Sequence, residues 1–259
     1  MKKSLKEILR LVVNDRKPTI WAKKLGIPVS SNSRLFKDGI LPSDKHLRKI
    51  MVSENVSISA MLGANRPPFF VQHTKHSKET YKLLAMQLAD NDWTVHIITG
   101  DIHPIIVLST PAETEVDGEV FAYTMLEVVY CPVNQEVAGL FNNFKVYHKD
   151  LSVEDTTRII NGLVGTYELL LKDKALLHDA NIISQPQLSK LFQLRSDKNA
   201  LLITTIMDVI DQTIESQGIT ITKDEWRMLV ASLYNYALDD NLVATDISKN
   251  LASSILRLI

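Results

Sequence analysis

The first 63 residues form a succession of short amphipathic helical patterns, and this feature constrains the fold more than any other. Between Ser4 and Gly63 no segment shows the apolar–polar alternation of a strand. Apolar residues instead recur at helical spacing, separated by residue types that start and end helices. Five helices are predicted: from Leu5 to before Asn14, from Pro18 or Thr19 to Leu25, from Ser30 or Ser31 to about Asp38, one capped by Ser43, and one from Ser57 to Gly63.

Charge is distributed unevenly along the chain. The 259 residues include 29 Lys and Arg and 30 Asp and Glu, which gives a net charge of −1. Residues 1–66 hold 14 of the basic and 5 of the acidic residues, a net +9, and the remainder carries −10. A basic segment joined to an acidic one is typical of a chain that contacts nucleic acid with one of its parts.

Three further features exclude classes of protein. Cys131 is the single cysteine, so an intramolecular disulfide or a Cys-rich metal site cannot form, which favours a reducing cytosol. The N-terminus lacks the apolar segment of an export signal. No stretch approaches the roughly 20 apolar residues that a membrane helix needs. We therefore expect a cytoplasmic protein with no membrane partner.

Residues 19–39 have the spacing of a helix-turn-helix. Two helices that cross steeply need a small residue at the crossing and often a glycine in the turn, and Ala22 and Gly26 meet these requirements. Apolar residues on both helices are expected to hold the second one in place: Trp21, Leu25, Ile27, Leu35 and Phe36. The other residues of the second helix are polar and are expected to face outward.

Those polar residues are of the types that contact DNA. Arg and Lys pair with guanine, Asn with adenine, and Ser with either. The base-reading candidates are Ser30, Ser31, Asn32, Arg34 and Lys37. The candidates for contacts with backbone phosphates are Lys23, Lys24, Lys45 and Arg48. In the alternative interpretation the motif is only a tight helix pair, with solvated lysines and serines that cap their helix, but this leaves the uneven charge unexplained.

The first quarter of the chain resembles the N-terminal domain of bacteriophage CI-type repressors, the lambda-repressor-like five-helix class of helix-turn-helix. The matching segments are residues 21–27, 33–37, 47–50 and 56–62. The resemblance implies sequence-specific operator binding, with the third helix in the major groove of double-stranded DNA. It also implies a bacterial host cytoplasm, next to the nucleoid.

The chain departs from the self-cleaving branch of that family. Its one Ala-Gly bond, Ala138-Gly139, lies in a predicted strand region, and no serine nucleophile segment follows at a suitable distance. Release from DNA would therefore need another route, such as an antirepressor protein or a small ligand.

The rest of the chain is predicted to be mixed and then helical. A helix over 77–89 precedes four strands at 94–99, 105–109, 119–130 and 139–147, which predict a small antiparallel sheet. Ser152-x-x-Asp155 predicts the start of a long helix to about His178. Tail helices are predicted over 199–217, 222–238 and 245–258. Their apolar stripes favour oligomerisation.

These observations predict an α+β protein with four parts. They are a helix-turn-helix DNA-binding domain (1–66), a linker (67–76), a central regulatory or dimerisation domain (77–183), and a helical oligomerisation region (184–259). The predicted function is that of a repressor, not an enzyme, which binds paired operator half-sites as a homodimer or higher oligomer.

Two alternatives remain open. The central domain could be a sensor for a ligand or an antirepressor, with a pocket lined by Trp93, Phe121, Tyr123 and Tyr130. It could instead be an enzyme that the N-terminal domain targets to DNA. No cofactor, catalytic set or metal site is expected, since His73, His76, His96 and His103 lack a convincing set of partner ligands.

Overall fold

The computed structural model describes residues 3–100, 103–239, 242, 244–248, 251, 252 and 254. The described part of the chain contains an N-terminal helical region, a central six-stranded sheet with helices on both faces, and a pair of long C-terminal helices. This arrangement is a mixed α and β fold.

The N-terminal region consists of five helices, as the sequence predicts: α1 (Leu5–Val13), α2 (Pro18–Lys24), α3 (Val29–Lys37), α4 (Asp44–Glu54) and α5 (Ile58–Met61). α1 begins with a reciprocal capping box between Ser4 and Glu7. The predicted start of α3 is wrong. Its N-cap is Pro28, whose carbonyl accepts the first helical hydrogen bond, so Ser30 and Ser31 lie inside the helix and do not cap it.

These five helices enclose one apolar core. Trp21, Leu35 and Ile50 are fully buried in it, and the Trp21 and Phe36 rings meet edge to face at 5.9 Å between centroids. Phe69, which belongs to the predicted linker, is buried in the same core. The segment 67–76 also supplies the first strand of the sheet, so it is folded against the regions that it connects.

The sheet is mixed, and the predicted antiparallel sheet is wrong in this respect. Its strands are β1 (Gln72–His73), β2 (Thr94–Thr99), β3 (Ile105–Val116), β4 (Glu119–Tyr130), β5 (Lys145–Asp150) and β6 (Asn181–Ile182), in the order β1-β4-β3-β2-β5-β6. β1 pairs with β4, and β2 with β5, in parallel, because the connections after β1 (residues 74–93) and after β4 (residues 131–144) bring the chain back so that the next strand runs in the same direction.

Two predicted elements of the central region differ from the structure. The strand predicted over 139–147 begins only at Lys145, because Asn134 caps a short helix, α7 (Gln135–Gly139), in which Ala138-Gly139 lies. The long helix predicted after Ser152 ends early. α8 (Val153–Ile160) stops before Gly162, which adopts φ +60°, and a π-helical turn follows at Tyr167–Leu171.

Both faces of the sheet are covered. α6 (Ser77–Leu88), α7 and the start of α9 (Gln185–Gln217) cover one face, which includes Ile97 and Leu108. α8 and the π-helical turn cover the other face, which includes Ile98 and Val107. Burial on both faces explains why β2 and β3 contain continuous apolar runs and not an alternating pattern.

β3 and β4 extend beyond the other strands. Only Ile105–Ser109 of β3 pairs with β2, whereas β3 and β4 pair with each other along twelve residues. Their distal halves, residues 110–125, therefore form a two-stranded ribbon that projects from the sheet. One face of this ribbon packs against α4 of the N-terminal region.

The C-terminal helices have a small core of their own. α9 has 33 residues, begins at Gln185 with a Ser184–Gln187 capping box, and ends at Gly218 with φ +63°. The start predicted at residue 199 is therefore wrong. α10 (Lys223–Asp239) packs on the second half of α9. Half of the positions of the helix predicted over 245–258 lie outside the described residues. No helix in the described chain is long and apolar enough to span a membrane.

Candidate nucleic-acid interface

The turn between α2 and α3 has a geometry that needs glycine. The amide of Ile27 donates to the carbonyl of Ala22 at 2.9 Å, and the amide of Gly26 donates to Lys23 at 3.1 Å. These two bonds form a Schellman motif, in which Gly26 takes the left-handed conformation at φ +67°. The motif ends α2 and sets the direction in which α3 leaves the turn.

α4 supports this turn through a histidine. The imidazole Nε2 of His46 donates to the carbonyl of Gly26 at 3.0 Å, and its Nδ1 shares a hydrogen bond of 2.9 Å with the Ser43 hydroxyl. The side chain thereby links the start of α4 to the turn. The orientation of α3 is thus fixed by the turn and by α4.

α3 presents one continuous exposed face, which we call the free face. At 3.6 residues per turn its members span an arc of about 140°. They are Val29, Ser30, Ser33, Arg34 and Lys37, of which Ser33 is half-buried and the others are exposed. Residues 29–37 include no acidic side chain. Neither Arg34 nor Lys37 forms an ion pair within the chain that the structure describes. The face therefore combines two available cations with hydroxyl groups.

Three predicted base-reading residues, Ser30, Arg34 and Lys37, lie on this face, and the other two do not. Ser31 is half-buried at the side of the helix. Asn32 points inward and is 7% exposed, so the prediction that it faces outward is wrong. Its Oδ1 atom accepts no hydrogen bond from the described residues. The helical period explains this result, since Asn32 lies on the same side of α3 as the buried Leu35.

Of the four residues predicted to contact phosphates, three are exposed and one forms an ion pair. Lys23 and Lys24 are exposed in the last turn of α2, and Arg48 is exposed on α4. Lys45, however, forms an ion pair with Glu119 of the ribbon at 3.0 Å. Lys49 contacts the same carboxylate at 3.1 Å and lies 5.3 Å from the centroid of the Phe121 ring. The two lysines hold the pKa of Glu119 below its usual range. Lys45 is therefore engaged in holding the ribbon.

A second set of contacts joins the turn after α1 to the π-helical turn of the central region. Asp15 accepts hydrogen bonds from Lys172 at 2.9 Å and from the Tyr167 hydroxyl at 2.9 Å, and both contacts lower its pKa. The guanidinium of Arg16 lies 3.9 Å above the Tyr167 ring. The N-terminal region thus contacts the rest of the chain through what we call the attached side. It consists of Asp15, Arg16, Lys45, Lys49 and Phe69.

Arg16 also reaches into the N-terminal core. Its guanidinium binds the buried Glu54 carboxylate through two contacts of 2.8 Å. The indole nitrogen of Trp21 donates to the same carboxylate at 2.8 Å. A charged group is thus buried with a full set of partners. These partners are separated by many residues in sequence, so no local pattern could predict them.

The aromatic residues of the predicted sensor pocket do not share a cavity. Trp93 is buried on one face of the sheet, where its Nε1 donates to the carbonyl of Gln87 at 2.7 Å. Phe121 and Tyr123 stack on the ribbon, and Phe121 packs against the N-terminal core. Tyr130 lies at the opposite end of β4 beside His73. The alternative in which these four residues line one pocket therefore does not fit the structure.

Of the histidines considered as metal ligands, His73 and His103 both lie against the Tyr130 ring, at 5.7 and 5.6 Å between centroids. His96 is buried and stacks on Tyr147 at 5.0 Å between ring centroids, and burial lowers its pKa to about 4. In the part of the chain that the structure describes, no three His, Cys, Asp or Glu side chains are grouped so that they could hold a metal ion.

Comparison of the chain with protein-family models, with curated proteins and with solved structures finds no match. The functional argument therefore depends on the free face and its surroundings.

Proposed function

We propose that this chain is a sequence-specific DNA-binding transcriptional repressor of the phage CI type. The observation that supports it is the free face of α3, where Arg34 and Lys37 have no ion-pair partner among the described residues, Ser30 is exposed between them on the helix surface, and the helix contains no acidic residue. Arg pairs with guanine through two hydrogen bonds, and Ser accepts or donates to any base edge. In a helix-turn-helix the second helix enters the major groove.

The surroundings of the free face support electrostatic binding. Lys23 and Lys24 extend the positive surface onto the end of α2, where they can neutralise phosphates beside the groove. Residues 67–259 carry a net charge of −10, which repels DNA from the rest of the molecule. Association is thereby directed to the N-terminal region.

Two copies of the chain would bind two half-sites of one operator. One short helix gives limited affinity, and joining two copies makes the second contact intramolecular. The C-terminal helices are our candidate for the joining region because Leu201, Met228 and Tyr236 are exposed there. An antirepressor protein could release the DNA in a cytoplasmic setting.

The test is selection from a library of random-sequence DNA duplexes with the full-length chain, followed by titration of the recovered duplex at several salt concentrations. We expect one enriched motif and an affinity that falls steeply as salt rises. Arg34→Ala should weaken binding to the recovered duplex about tenfold or more, since one bidentate base contact is worth about 1–3 kcal/mol.

Lys82→Ala is the matched control because Lys82 is an exposed cation in the acidic part of the chain. It should leave the affinity unchanged. A library that yields no enriched motif would contradict the proposal, and so would equal binding of both variants to the recovered duplex.

A further inference from the structure

Val29 stands out on the free face because it is the one apolar side chain there. It is the first residue of α3 and is 81% exposed, the largest fraction among the large hydrophobic side chains of the described chain. An exposed valine cannot contact phosphate or form a side-chain hydrogen bond. Val29 is not among the predicted site residues, because only polar side chains were expected to contact bases.

The position of Val29 on α3 indicates which part of the DNA it would contact. It lies at one end of the arc that continues through Ser33 and Lys37 to Ser30 and Arg34, in the first turn of the helix. In helix-turn-helix proteins the N-terminal residues of the second helix contact base edges. Val29 would therefore reach into the groove together with the polar residues.

Base edges in the major groove offer one methyl group, the C5-methyl of thymine, and apolar side chains recognise thymine through it. Valine suits this contact because its branched side chain has one strongly preferred rotamer in a helix, so it loses little freedom when it is buried. Pro28, which precedes it as N-cap, has φ restricted by its ring and further limits local movement.

We infer that Val29 is a specificity-determining residue that contacts the C5-methyl group of thymine in each operator half-site. This inference depends on the proposed DNA-binding function and adds to it an A·T base pair at the position facing the start of α3. It also explains why a highly exposed position of an otherwise polar face is occupied by an apolar residue.

The experiment pairs a protein change with a DNA change, using the duplex recovered by the selection above. The variant is Val29→Ala, and in the DNA each thymine is replaced in turn by uracil, which lacks only the C5-methyl group. For the unmodified chain we expect one or two positions in each half-site at which uracil weakens binding about four- to fifteenfold, as expected for one or two methyl groups left in water.

Val29→Ala should weaken binding to the thymine duplex by the same factor, and uracil at those positions should then cause no further loss. Val120→Ala is the matched control, because Val120 is a similarly exposed valine on the ribbon. It should behave as the unmodified chain. Thermal unfolding of Val29→Ala should match that of the unmodified chain, since the side chain is exposed.

Two results would overturn the inference. One is an unchanged affinity of Val29→Ala, and the other is a uracil effect of equal size in both proteins. If Arg34→Ala still weakens binding to the selected duplex, only the thymine contact fails. If no duplex is selected at all, the DNA-binding function fails and the inference fails with it.

Discussion

The free face and the attached side of the N-terminal region use the same residue types for opposite purposes. On the free face Arg34 and Lys37 have no acidic partner in the described chain. On the attached side Arg16, Lys45 and Lys49 are all bound to carboxylates. The net charge of +9 counts both sets. Only the unpaired set is available to displace counterions from DNA. Variants of the two sets should therefore change different properties.

The largest effect is expected from Arg16→Ala on the attached side. It leaves the Glu54 carboxylate buried with only the Trp21 indole as a donor. Loss of one partner of a buried ion pair lowers the free energy of unfolding by about 3–5 kcal/mol. Urea denaturation followed by circular dichroism measures this change. Arg48→Ala, which removes an exposed cation, should change it by less than about 0.5 kcal/mol. A small effect of Arg16→Ala would show that the buried pair contributes little.

A change of pH should act on the stability of the sheet, through His96, and not on the free face. Burial lowers the pKa of His96 from 6.5 to about 4, so the unfolded chain binds this proton more readily than the folded chain. This contribution to stability is complete above pH 6.5 and is lost as pH falls toward 4. Between pH 7 and pH 5 the expected loss of unfolding free energy is about 2 kcal/mol. The free face contains no histidine.

The variant that tests this is His96→Phe, which keeps a ring against Tyr147 but cannot be protonated. Denaturant titrations at pH 7 and pH 5 should show a clearly smaller loss of stability in the variant than in the unmodified chain. The same loss in both proteins would assign the pH dependence to other groups.

The sequence predicts local structure well and long-range structure poorly. The five N-terminal helices follow from periodicity and from residues such as Ser4, Ser57 and Gly26 that act within a few positions. The mixed sheet is missed because the parallel pairing of β2 with β5 joins segments about 50 residues apart. No local pattern distinguishes this pairing from an antiparallel one.

The candidate site shows the same division. The types of the contact residues could be predicted, but the start of α3 at Val29 was missed. The direction of each side chain depends on which face of α3 packs on the core. Asn32 lies three residues before the buried Leu35 and points inward, whereas Val29 points outward. That Lys45 is bound by Glu119 depends on the ribbon, which lies about 70 residues away in sequence.

A moderate effect is expected where Phe69 joins the attached side to the rest of the chain. A Cβ atom on Gly165 would lie 2.3 Å from Cε1 of the Phe69 ring. Gly165→Ala should therefore lower the free energy of unfolding by about 1–3 kcal/mol through overpacking. Gly139→Ala is the control because a Cβ there meets nothing within 4 Å. It should be neutral or slightly stabilising. Equal unfolding midpoints in the two variants would contradict the close packing around Phe69.

The smallest effect on stability is expected from Lys45→Ala, and it tests the division between the two sets of cations most directly. The ion pair between Lys45 and Glu119 is partly exposed, and Lys49 remains to hold the carboxylate. The loss should therefore be about 0–1 kcal/mol.

Because Lys45 is already paired, its removal should also leave the salt dependence of DNA binding unchanged. Lys37→Ala should do the reverse, with no loss of stability and a salt slope reduced by about one. Titrations of both variants on the selected duplex at four salt concentrations compare the two slopes. If Lys45→Ala reduces the slope as much as Lys37→Ala, then Lys45 leaves Glu119 to bind phosphate, and the attached side is part of the DNA interface.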